Sequence, residues 1–271
     1  MLWLTPIQGF SQLINQPLNV GGGQPFLNAQ RIKELGIREM HGKIYTKRPS
    51  DLIRSTDGFV DYKFDSLGNT IYSLTYVPHH PFKDSIVHTY QYEQNNLTYH
   101  RTERNSDYSI EQYEYANGKL INSEERIGLK RTHEEVITNA LVYDYLYPSN
   151  QELITIRYRG GNRYREVVLS YDSIQRISNK QIKEPLTGLI QTTHYTYNAT
   201  NQLEEIACID GIGNMTSTRI EYEPSTEIRA IKTYTNGTLT SEIQVIYSNR
   251  QLSSVLILNH QTQLMEIIRM D

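Results

Sequence analysis

The chain has 271 residues with 27 Lys and Arg against 30 Asp and Glu, a net charge of −3 and a pI near 6.3, so it offers no basic field for nucleic acid. Mean hydropathy is −0.56 and there is no apolar run of roughly 18 residues, which excludes a transmembrane helix but not a transmembrane β-barrel. The 21 tyrosines against 5 Phe and 1 Trp favour a pleated sheet, and the single Cys208 excludes an internal disulfide.

Residues 1–57 read as an irregular leader, broken by Pro6, Pro17, Pro25, Pro49 and Gly21-Gly22-Gly23. One short helix is expected at Asn28–Leu35, capped by Asn28 and ended by Gly36. Met1–Asn15 is apolar in part but has no Lys or Arg before it and no small-residue cleavage site, so it reads poorly as a signal peptide. Leu2, Trp3, Phe10, Phe26 and Leu27 give the leader enough apolar surface to plug or cap one end of a sheet.

From Gly58 onward there is no helical period. A unit repeats eight times: an apolar residue, a spacer, an aromatic, a polar turn and an aliphatic residue. The second aromatic falls at Phe64, Tyr92, Tyr115, Tyr147, Tyr171, Tyr197, Tyr222 and Tyr247. Two residues earlier stand Tyr62, Tyr90, Tyr113, Tyr145, Leu169, Tyr195, Ile220 and Val245. After the turn stand Ile71, Leu97, Leu120, Leu153, Ile177, Leu203, Ile228 and Leu252. Residues two apart share one face of a strand, and the polar gap is a hairpin turn, with Asn117-Gly118 as the sharpest type I′ signal. The expectation is an all-β fold: an antiparallel meander of about eight hairpins, or about sixteen strands, either curved or closed into a large barrel-like sheet. The Gly128–Ala140 insert should protrude as a long loop or hairpin extension. A membrane-embedded barrel is disfavoured, because strands such as Tyr99-His100-Arg101-Thr102-Glu103-Arg104 show no apolar band.

Phe64-Asp65-Ser66-Leu67-Gly68-Asn69-Thr70-Ile71 and Tyr171-Asp172-Ser173-Ile174-Gln175-Arg176-Ile177 resemble the tyrosine-aspartate (YD) repeats of RHS proteins, over residues 58–258. In that family such repeats wind a hollow β-shell around a toxin domain. The chain is also similar to uncharacterised envelope lipoproteins of Bacteroidetes with diverged repeats, some expected to close into porin-like barrels. The resemblance implies a repeat meander over 58–271 and an extracytoplasmic location in the envelope or secreted. The even spread of equivalent residues along the repeats points to a scaffold or binding role rather than catalysis, with the partner unknown and cell-envelope glycan or protein as the candidates.

Catalytic patterns are thin. His79-His80 lies in a Pro-rich loop without further ligands at suitable spacing, and His133-Glu134-Glu135 lacks a second His for zinc. Gly211-Ile212-Gly213 reads as a turn, and Cys208 as an inert thiol on a strand. No metal or cofactor is expected. The tyrosine rows have two readings. As structure, Tyr90/Tyr92, Tyr113/Tyr115, Tyr143/Tyr145/Tyr147 and Tyr195/Tyr197 pack against one another and the aliphatic positions. As function, Tyr90, Tyr92, Tyr113, Tyr115, Tyr195 and Tyr197 line a groove or barrel mouth that stacks on glycan or lipid.

Overall fold

The structure is a computed structural model that describes residues 27–271 except 80–81, 131–133, 148–150, 159–160, 162, 225–226 and 250. Among the described residues, eighteen antiparallel strands follow one helix. They are α1 (Ala29–Glu34), β1 (Glu39–Lys47), β2 (Arg54–Phe64), β3 (Thr70–His79), β4 (Phe82–Glu93), β5 (Asn96–Arg104), β6 (Asp107–Ala116), β7 (Lys119–Lys130), β8 (Glu135–Leu146) and β9 (Gln151–Tyr158). Then come β10 (Arg163–Tyr171), β11 (Ile177–Lys183), β12 (Ile190–Tyr197), β13 (Leu203–Ile209), β14 (Met215–Tyr222), β15 (Ile228–Thr235), β16 (Thr238–Ser248), β17 (Gln251–Asn259) and β18 (Leu264–Met270). Each strand pairs with the next, and β18 pairs with β1, so the meander closes into a barrel without free edges.

The eight repeat hairpins run from β2 to β17, as the spacing predicts, and two strands outside the repeat close the ring. One corrects the sequence reading: residues 39–47, assigned to the irregular leader, form β1 between β2 and β18. His41, Gly42 and Lys43 dilute its apolar alternation, while its partners leave two sheet edges that only another strand satisfies. At this seam Gly42 faces inward. A Cβ there would meet Met270 Sδ at 2.8 Å, Val60 Cγ2 at 2.9 Å and Ile268 Cγ2 at 3.0 Å. The helix forms where expected, with Asn28 Oδ1 accepting the Arg31 N–H. Its Ile32 is buried with Val60, Tyr62, Phe64 and Val255, and Leu27 packs against the same cluster; residues 1–26, which carry the rest of the leader's apolar surface, lie outside the described residues.

The turns between the two strands of each repeat unit gather at one end, called here the repeat rim; the alternate turns form the far rim. The polar residue after the aromatic has a direct physical basis at the repeat rim. Asp65 Oδ1 accepts the N–H groups of Leu67 and Asn69, Asp172 Oδ1 those of Ile174 and Arg176, and Asn198 Oδ1 those of Thr200 and Gln202. Gln94-Asn95 and Asn117-Gly118 make tighter two-residue turns with positive φ at both positions. The Gly128–Ala140 insert is a hairpin extension that gives β7 and β8 twelve residues each. Up to Lys130 it runs level with its neighbour rather than protruding, since Lys130 N donates to Ser106 O in the β5–β6 turn, and residues 131–133 lie outside the described residues.

A second regularity explains the tyrosines. In seven of the repeat units the register shifts immediately before the second aromatic, for example between Gln91 and Tyr92 and between Thr196 and Tyr197. Near the repeat rim consecutive hairpins stop pairing: β5–β6 ends at Tyr99↔Gln112 and β11–β12 at Asn179↔His194. The tyrosine hydroxyl bridges that gap. Tyr92 donates to Thr70 O (3.2 Å), Tyr115 to Leu97 O (3.0 Å), Tyr147 to Leu120 O (2.7 Å), Tyr197 to Ile177 O (2.8 Å) and Tyr222 to Leu203 O (2.7 Å). Where β9 and β10 pair to the end, at Gln151↔Ser170, Tyr171 donates instead to the buried Glu152 carboxylate. Phe64 opens the series without a hydroxyl, and no repeat unit precedes it.

Two expectations follow for chemical denaturation. Gly42→Val should lower stability by about 1–3 kcal/mol through overpacking of the seam, and an unchanged midpoint would refute the close approach. Tyr197→Phe should cost about 1 kcal/mol, the value of one hydrogen bond whose carbonyl is left unpaired.

Candidate functional site

The inner face divides by chemistry. From β8 to β15 it is an apolar cluster that includes Tyr145, Ile156, Val167, Leu169, Tyr195 and Ile231, and from β16 through β1 to β2 a second one holds Val245, Val255, Ile268 and Val60. Between them, on β4 to β7, the inward residues carry imidazoles, carboxylates and hydroxyls.

Register places these groups side by side. Tyr90 lies opposite His100, His88 opposite Thr102, His100 opposite Glu111, and Glu111 opposite Glu125. The rings of Tyr90 and His100 stack in parallel, 4.6 Å apart and tilted by 2°. His88 Nδ1 is 3.2 Å from His100 Nε2, and Thr102 Oγ1 sits 3.0 Å from the first and 3.3 Å from the second. His100 Nδ1 is 3.4 Å from Glu111 Oε2, which also accepts the Tyr113 hydroxyl. One strand on, Tyr143 donates to Glu125 Oε2 at 2.6 Å and Ser123 shares a hydrogen bond with Tyr145.

Burial opposes ionisation of Glu111, but the hydrogen bonds from His100 and Tyr113 and the neighbouring imidazoles outweigh it and hold the carboxyl below its usual range. An ionised Glu111 accepts a hydrogen bond from His100 Nδ1–H, so His100 Nε2 is left as an acceptor for His88 Nδ1–H. The far nitrogen of that chain, His88 Nε2, is buried without a hydrogen-bond partner. Desolvation and then the charge of His100 push the His88 pKa down to about 4. The arrangement is a carboxylate–imidazole–imidazole chain that keeps its inner end neutral. Among the described residues no group of three His, Cys, Asp or Glu is arranged to hold a metal ion.

A separate buried carboxylate, Glu152, accepts a hydrogen bond from Tyr171, yet burial outweighs it and raises its pKa. On the outer wall two open concavities, of about 640 Å³ beside His41, Asp61 and Tyr72 and about 520 Å³ beside Glu221, Arg229 and Glu242, have charges paired with one another. Lys63 meets Glu39, and Arg229 and Lys232 both meet Glu221 at 2.6 Å.

The six tyrosines read as binding candidates do not form one groove. Tyr90 and Tyr113 belong to the polar arc; Tyr92 and Tyr115 are tied to backbone carbonyls beside it. Tyr195 is buried in the first apolar cluster, and Tyr197 bonds Ile177 O with the Arg176 guanidinium 4.1 Å above its ring. His79, at the end of β3, has its side chain outside the described residues, as do His80 and His133 entirely. Glu135 is held by Arg101 at 2.5 Å. Gly211–Gly213 is a turn organised by Asp210, and Cys208 Sγ is 2.9 Å from the Gln191 amide. His88, Glu111 and Glu125 escape a search for catalytic motifs because they are far apart in sequence. The signal that finds His88 and Glu111 is parity: each stands two residues before the first aromatic of a repeat, on the same face.

No family model matches the chain, and no curated protein does. Among solved structures, a porin-like protein from Bacteroides vulgatus is 12% identical with a TM-score of 0.36, covering 84% of this chain and 96% of its own. A porin-like protein from Bacteroides uniformis is 9% identical with a TM-score of 0.44, covering 86% and 95%. The TcdB2-TccC3-Cdc42 complex is 11% identical with a TM-score of 0.29 over 75% of this chain and 15% of that one.

The His88 chain dictates a pH dependence. Its folded pKa lies below the ordinary 6.5, so the unfolded chain takes up the proton first as pH falls. Stability is therefore complete above about 6.5 and lost progressively toward pH 4, by up to about 3 kcal/mol. Glu111, also depressed, adds to the loss below its ordinary 4.5. Thermal melts across this window should show the decline, and His88→Leu should flatten it; a parallel decline in the variant would remove His88 as its cause.

Proposed function

We propose that this chain is a YD-type repeat barrel that works outside the cytoplasm as a non-catalytic scaffold or binding module of the cell envelope. The observation that supports it most is the use made of the repeat's signature residues. The second tyrosines spend their hydroxyls on the carbonyls of the preceding repeat, and the acidic residue after the aromatic spends its carboxylate on its own turn. Groups spread evenly around a ring hold that ring, whereas catalysis needs a few unlike groups converging on one place.

A second reading, a glycan- or lipid-binding barrel, draws on the polar arc, where buried His88 Nε2 lacks a partner. Replacement of Tyr115 or Tyr197 with Ala separates the two. For the scaffold, both variants should lose roughly 3 kcal/mol or more, with retention on insoluble cell-wall glycan no different from the parent under conditions where all are folded. Variants that melt like the parent but lose retention would replace the scaffold with the binding reading.

A further inference from the structure

Lys180 is a lumenal cation without a counter-ion. It lies opposite buried Leu169 on β10 and opposite buried Thr193 on β12, so it shares their inward face. Thr193 in turn lies opposite Cys208, and Cys208 opposite Thr216, which carries the row across to β14. Among the described residues Lys180 Nζ has neither a hydrogen bond nor an ion pair. Burial pushes its pKa down and the like charge of Arg165 adds to this, opposed only by Cys208. Two carboxylates stand in the same part of the ring, and both are committed elsewhere. Glu184, just beyond β11, accepts from Arg165 at 2.9 Å, and Glu152 on β9 accepts from Tyr171.

An ammonium drawn out of water without a counter-ion is costly, and its surroundings define the group that would relieve it. The inner face around Lys180 is apolar: Val167, Leu169 and Tyr195 are buried, and Ile182 and Ile206 pack against the same cluster. Space lies in front of it, because an eighteen-stranded ring is too wide for its side chains to fill. Solvent reaches this wall, where Ile182 and Cys208 are half-buried and Thr216 is exposed. One ammonium matches one negative charge; a phosphate dianion would bring a second charge with no partner, and a glycan would leave the apolar layer unmatched. We infer that the lumen binds a long-chain carboxylate, with its headgroup on Lys180 and its acyl chain along the apolar layer of β10 to β13. The inference rests on the lipid-binding reading of the barrel and narrows it to one headgroup and one wall.

The fluorescent long-chain carboxylate cis-parinarate would be titrated into the full chain near neutral pH, and saturable binding is expected. Dodecanoate should displace the probe, with dodecanol and acetate less effective on the order of tenfold or more, since one lacks the charge and the other the chain. Lys180→Met should weaken probe binding on the order of tenfold or more, as loss of a hydrogen bond to a charged group does. That variant should melt no lower than the parent, because it removes an uncompensated charge. Lys183→Met, exposed at the end of the same strand, should bind like the parent. Absence of saturable binding by the parent overturns the inference and the lipid-binding reading together. Equal binding by Lys180→Met, or equal displacement by dodecanol, overturns the inference alone and leaves a barrel that takes lipids without this headgroup. Displacement by acetate as effective as by dodecanoate makes this a site for small anions and overturns the inference as well.

Discussion

The barrel depends on one hydrogen bond made over and over: a tyrosine hydroxyl reaching back to a backbone carbonyl of the preceding repeat. Consecutive hairpins pair well at mid-wall but part near the repeat rim, where in seven units a bulge before the second aromatic turns the strand. A carbonyl left there without a ladder partner costs more than the bond itself is worth. Tyrosine solves this as Phe cannot, because its ring fills the inner layer while its hydroxyl spans the gap. The exception has the same logic. Strands β9 and β10 pair to their ends, and Tyr171 is then free to hold Glu152.

That bond also limits what the tyrosine rows can do. A ring packed in a layer with its hydroxyl proton committed to a carbonyl keeps only the lone pairs of its oxygen for another partner, and burial drives the phenols of Tyr195 and Tyr222 up to about 12. Neighbouring repeats thus lock one another as in a solenoid, and closure through β1 and β18 removes the two ends that a solenoid must otherwise cap.

Much of this was legible in the residues, because hairpins built on an alternation of two with a fixed turn chemistry repeat at nearly constant spacing. The closing strands were less so. β18 lies past the last unit, and β1 interrupts its pattern with Gly42, a residue chosen for the crowding of Val60, Ile268 and Met270 around it. Crowding of that kind depends on where the ring closes, which no local window contains. The contacts of the polar arc were hidden for a related reason: parity places His88 and Glu111 on the inner face, but His100 and Glu111 are eleven residues apart and meet only through the β5–β6 register.

The location of that arc follows from what the repeat specifies. Each unit fixes two inward layers near the repeat rim, through its two apolar or aromatic positions. The next inward residue along the strand lies beyond the signature, and it varies: Val60, His88, Glu111, Tyr143, Val167, Thr193, Thr218 and Ile243. Where it is Val or Ile the core simply continues upward. On β4 and β6 it is His and Glu, and adjacent inward positions then had to supply His100, Thr102 and Tyr113 as partners, since a lone buried charge would be far costlier than the network. The chain of bonds satisfies every member except its last nitrogen, His88 Nε2. On β4 and β6 the chemistry peculiar to this protein therefore begins at an inward position that the repeat does not specify, above the two layers that it does.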